Sequence, residues 1–109
     1  MLKEGLYCVQ FQTPRGAGAG VVVLEGGRIR GGDARIFYTG TYSENGDQFT
    51  AQVRTDAHTN TPNAGSVFGP DKLNISLRGT SSGNAATLSG NAAEAPSVGF
   101  HATLRRIGD

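Results

Sequence analysis

The stretch "GAGAGVVVLEGGRIRGGD", residues 16–33, decides how the chain is read. Glycine at alternate positions suggests a loop that cradles phosphate. Such loops place their glycines between a strand and a helix whose N-terminus faces the anion. Here Gly16 to Gly20 runs straight into Val21-Val22-Val23-Leu24, a β-branched run that argues for a strand. Neither Gly-Lys-Ser/Thr nor a helical period follows. The glycines therefore read as bare strand backbone, able to coil sharply or to let a large neighbour lie over it. Gly26-Gly27 makes a hairpin turn that sets Leu24 opposite Ile29 and Val23 opposite Arg30, with Glu25 and Arg28 as an opposite-charge pair.

The same grammar runs along the chain. Period two is cut by turn residues at short intervals, and no segment holds a helical period beyond a turn or two. The pattern predicts strands near 4–12, 17–25, 28–31, 34–44, 47–56, 71–79, 84–90 and 96–106. With Asn45-Gly46 as a two-residue loop, Glu44 faces Asp47, Tyr42 faces Phe49, Gly40 faces Ala51 and Tyr38 faces Val53. One face then collects Tyr38, Tyr42, Phe49 and Val53, and the other Thr39, Thr41, Thr50, Gln52 and Arg54, with Phe37 as the exception. Leu73, Ile75 and Leu77 share a face with Ala86 and Leu88, and Val98, Phe100, Ala102 and Leu104 point inward. One-sided strands joined by tight turns, with no helix to cover a sheet, predict an all-β, eight-stranded antiparallel up-and-down barrel. The one long connection, 55–71, contains Val67 and Phe68 as apolar residues able to tuck against the barrel mouth or a partner, with at most a short turn of helix near 64–68.

Composition narrows the function classes. The chain has 109 residues, enough for a single domain over 1–109, and a net charge of +1 without a basic stripe, which disfavours nucleic acid. Cys8 is the single cysteine, so no intrachain disulfide forms, and its apolar surroundings read as a buried structural thiol. The short leader before the first strand leaves no room for a signal peptide, and no apolar run spans a membrane, so a soluble cytoplasmic protein is expected. Asp56-Ala57-His58 and His101 do not supply the converging set a metal needs, and no nucleophile elbow exists. No catalytic, metal or cofactor site is expected. An interior lined by Tyr38, Tyr42, Phe49, Ile75, Leu77 and Phe100 offers a second reading, a barrel holding a small apolar ligand such as a fatty acid.

"KEGLYCVQF" at 3–11, "GAGVVVLEGGRIRGGD" at 18–33, "FYTGTYSENGD" at 37–47, "SVFG" at 66–69 and "GFHATLRRI" at 99–107 together resemble the lipocalin-like negative-regulator family of type III secretion (GrlR-like). The most specific element is the spacing of Gly5-Leu6-Tyr7, Gly27-x-Ile29-x-Gly31-Gly32-Asp33 and Tyr38-x-Gly40. The resemblance implies an eight-stranded lipocalin-like barrel, a homodimer, and a non-enzymatic role in which the protein binds a transcriptional activator and holds it inactive. In that family the contact is a run of acidic residues in an exposed hairpin. The corresponding stretch here includes Glu44, Asn45, Gly46 and Asp47, where only Glu44 and Asp47 are acidic, which weakens complementarity to a basic partner. That hairpin, with Val67 and Phe68, is the expected protein-binding surface.

Overall fold

The computed structural model describes residues 2–59 and 71–109. Val67, Phe68 and the turn of helix expected near 64–68 lie outside the described residues. Within them the chain forms β1 (Gly5–Thr13), β2 (Gly16–Glu25), β3 (Arg28–Gly32), β4 (Ile36–Asn45), β5 (Gln48–Ala57), β6 (Leu73–Ser82), β7 (Ala85–Ala92) and β8 (Ala95–Gly108). Each strand pairs antiparallel with the next, and β8 returns to β1, closing the barrel. The alternation that predicted the strands is the alternation that fills them: Leu73, Ile75 and Leu77 are buried while Asn74, Ser76 and Arg78 are exposed. Tyr7, Leu24, Phe49 and Leu73 are the largest fully buried side chains.

The opening glycines serve curvature and close approach. A Cβ placed on Gly20 would stand 2.9 Å from both the ring and the hydroxyl of Tyr38, so the tyrosine lies over bare β2 backbone. At Gly31 a Cβ would overlap the carbonyl oxygen of Val21 on the paired strand. The Gly26-Gly27 turn has φ of 59° and 77°, and its register is the expected one, Leu24 to Ile29 and Val23 to Arg30.

Two expectations need correction. The β4–β5 loop is Gly46-Asp47, not Asn45-Gly46: Asn45 pairs with Gln48, so Glu44 faces Phe49, Tyr42 faces Ala51, Gly40 faces Val53 and Tyr38 faces Thr55. Gly46, at φ 64°, supplies the left-handed conformation at the first loop position. The slip moves each partner by two residues, so the inward set is unchanged, and Tyr42 still stacks on Phe49 diagonally, with centroids 5.3 Å apart. Second, the strands are not all one-sided. Leu6 and Cys8 of β1 and Val21 and Val23 of β2 alternate with the buried Tyr7, Val9, Val22 and Leu24, so they face outward.

If Gly31 is bare because a neighbouring strand occupies its Cβ site, Gly31→Ala will cost roughly 1–3 kcal/mol in urea denaturation. Ala19→Ser on the exposed face of β2 will stay within about 0.5 kcal/mol of wild type.

Candidate binding surfaces

Turns 26–27, 46–47 and 83–84 gather at one end of the barrel with both chain termini. Glu44 is the organising group there. Its carboxylate accepts from the Leu2 backbone N–H at 2.8 Å and the Ser81 hydroxyl at 2.9 Å. Lys3 N–H donates to the Gly83 carbonyl, and the buried Tyr7 hydroxyl donates to the Lys3 carbonyl at 2.6 Å. Leu2 is thereby held as a buried plug. Of the expected acidic hairpin, Asn45, Gly46 and Asp47 are exposed, but Glu44 is half-buried and engaged in holding the N-terminal segment. The cause is its inward parity, shared with Tyr38 and Tyr42.

At the opposite end, the β3–β4 turn clamps both ends of the long connection. Arg35 grips the Asp71 carboxylate through two hydrogen bonds of 2.6 and 2.5 Å, and the Thr55 hydroxyl donates to the Asp71 carbonyl. His58 N–H donates to the Arg35 carbonyl, and His58 Nε2 lies 2.9 Å from the Asp33 carbonyl oxygen, which makes Nε2 the protonated nitrogen. Asp33 accepts from the backbone N–H groups of Arg35 and Ile36 and from the Tyr38 hydroxyl at 2.6 Å. Burial alone would raise the Asp33 pKa, but the hydrogen bonds from Tyr38, Ile36 and Arg35 outweigh it and hold the carboxyl below the usual range. Tyr38 is pushed far above the ordinary phenol value, first by burial and then by Asp33, so it stays a neutral donor.

Between the two ends lies a cavity of about 40 Å³ that exposes no polar atom. Tyr38, Phe49, Ile75, Leu77 and Phe100, five of the six expected ligand-lining residues, do line it; Tyr42 does not. Phe11, absent from that expectation, packs edge-on against Tyr38 and Phe100, with centroids 5.3 and 5.6 Å away. The hydroxyls of Tyr38 and Thr55 both turn to partners in the clamp rather than to the cavity. Pockets for small molecules run to about 300–1,000 Å³, so this interior is packed by its own side chains.

The outer wall carries two contrasting faces. Cys8 pairs with Val21, Val21 with Gly32 and Gly32 with Phe37, so an apolar band runs as a row across β1 to β4 with only glycine interrupting it; beside it, Leu6 pairs with Val23, a row that ends at Arg30. Val21 is 43% exposed, Phe37 37% and Ile107 46%, and these are the exposed large hydrophobics among the described residues. Sequence reasoning missed the band except for Phe37. The signal was present: Leu6-Tyr7-Cys8-Val9 and Val21-Val22-Val23-Leu24 are continuous apolar runs, which read as strands covered on both faces. Across β5 to β8 the wall is polar, with Thr50, Gln52, Ser76, Arg78, Ser89, Asn91 and His101 around a shallow groove of about 570 Å³. Among the described residues no group of three or more His, Cys, Asp or Glu is placed to hold a metal, and no helix is long and apolar enough to cross a membrane.

Comparison with models of known protein families and with curated proteins found no match in either.

Because the Asp33 carboxyl is depressed in the folded state, its stabilising contribution is complete above the unfolded value near pH 4 and is lost as pH falls through the folded value. Asp33→Asn removes that contribution. The melting-temperature gap between wild type and Asp33→Asn will therefore stay constant above about pH 5 and narrow as pH falls below about 4.

Proposed function

We propose that this barrel is a non-enzymatic, homodimeric protein-binding regulator that acts through its outer surface. One observation carries the reading: the interior leaves a cavity of only about 40 Å³, whereas the wall of β1 to β4 leaves large apolar side chains in solvent. A contiguous exposed apolar band on an otherwise polar wall is the mark of an association surface. A second copy of the chain suits it, since an isologous contact needs one self-complementary patch, and homodimer interfaces are the more apolar kind. The resemblance of Gly5-Leu6-Tyr7, Gly27 to Asp33 and Tyr38-x-Gly40 to the negative regulators of type III secretion supports the same reading, with a transcriptional regulator as the class of partner. The engaged state of Glu44 further weakens a basic partner at the 44–47 hairpin, because Asp47 is the one freely exposed carboxylate there.

Sedimentation equilibrium tests the reading. Wild type is expected to dimerise, and Val21→Glu or Phe37→Glu to weaken the dimer by roughly 30-fold or more with unchanged far-ultraviolet circular dichroism. A wild-type monomer at high concentration would overturn the dimer. An apolar molecule retained through purification and seen by native mass spectrometry would favour the ligand-binding alternative instead.

A further inference from the structure

The polar face opposite the apolar band has a chemistry of its own. Two cross-strand rows build it: Thr50, Arg78, Ser89 and His101 in one, and Gln52, Ser76 and Asn91 in the other. The first spans four strands, about 14 Å at the usual strand spacing. The Ser76 hydroxyl donates to Gln52 Oε1 at 2.8 Å. The β7–β8 register breaks between Gly90 and Ala92, where Asn91 Nδ2 donates to the Pro96 carbonyl at 3.1 Å. Gly99, on the displaced part of β8, has open space where a side chain would stand, and this keeps the groove clear.

The charge is one-signed. Among the described residues no carboxylate lines the groove, and Arg78, its one lining arginine, has no ion-pair partner. Arg54 lies two residues beyond Gln52 on the same face of β5, and Arg105 lies four beyond His101 on the same face of β8. Neither has an ion-pair partner among the described residues. Outside the groove, the outward carboxylate of β5 is Asp56, which accepts from the Ala57 N–H. Acidic groups instead gather in clamps, with Glu44, Asp71 and Glu94 each holding a neighbouring segment. This face thus offers spaced cations among hydroxyls and amides, Arg78 in the groove and Arg54 and Arg105 beyond it, with no Phe, Tyr or Trp side chain among the described residues facing outward from the groove.

We infer that the concave outer face of β5 to β8, centred on Arg78, docks an acidic segment of a protein partner. The inference rests on the protein-binding reading and names the partner's chemistry: carboxylates spaced along an extended chain. A single small anion would engage Arg78 alone, whereas an extended acidic segment meets Arg54, Arg78 and Arg105 in turn. Charge complementarity of this kind selects the partner and speeds encounter more than it adds affinity.

A fluorescein-labelled twelve-residue Asp/Glu-rich peptide, titrated by anisotropy into the full chain, tests it. Binding is expected at low salt and should weaken as ionic strength rises. Arg78→Glu is expected to reduce affinity by about 10-fold or more, and Ser89→Trp, which fills the groove without changing charge, should also weaken it. Arg15→Glu, the same charge change in the β1–β2 turn, should leave affinity within about 2-fold. Equal losses from Arg78→Glu and Arg15→Glu, no binding by wild type, or tighter binding of a single-stranded oligonucleotide through Arg78 would each overturn the inference. Val21→Glu separates it from the reading it rests on. If that variant loses self-association but keeps the peptide, the groove stands independently of the dimer. If wild type self-associates but ignores the peptide, this inference alone fails.

Discussion

Closure of β8 onto β1 is the constraint on which the rest of this structure depends. A short strand set that closes on itself has no sheet edge to protect, but it must bend every strand tightly. Bending brings backbone against backbone, and at Gly31 the carbonyl of Val21 takes the place of a side chain. It also brings side chains together across the interior, so that Tyr38 lies over Gly20 two strands away and Phe11 of β1 reaches Tyr38 of β4. A barrel this tight fills itself, and the proposed protein-binding role accordingly falls to its exterior.

The ends are sealed differently. At the termini, one carboxylate, Glu44, gathers the N-terminal segment and the β6–β7 hairpin. At the other end, the β3–β4 turn uses Asp33 and Arg35 to hold His58 on one side and Asp71 on the other. Glu44, Asp71 and Glu94 are thus engaged in tying segments together, while Arg54, Arg78 and Arg105 remain on the wall. A chain of nearly balanced net charge thus presents a groove lined by no carboxylate among the described residues, without a basic run in its sequence.

Much of the fold was legible because burial has a period of two. The strands, the Gly26-Gly27 register and the closed barrel follow from it. The Asn45-Gly46 hairpin shows where that logic stops: a slip of two residues leaves every apolar group on the same face, so burial cannot distinguish the registers, and the position of the left-handed glycine decides. The candidate surfaces were less legible. The lining of the interior was readable from parity, but its volume was not, since that depends on how far the rings of Phe11, Tyr38 and Phe100 interpenetrate. The apolar band lies within continuous runs, where alternation does not tell which set faces inward; Cys8, expected to be buried, faces outward. The polar groove joins residues from β5 to β8 that have no local signature and meet only through cross-strand register.

Gly20 and Tyr38 also form a single steric unit. A side chain gained at position 20 has no room beside the present ring and the Gly32 carbonyl oxygen, so it requires a smaller residue at 38 as well as a shift of the β3 backbone. With the ring would go the phenol that bonds Asp33, the residue whose carbonyl holds His58 at the start of the long connection. Among relatives these positions are expected to covary as a set, and the composition of a glycine-rich strand is then a record of how the far turn is anchored.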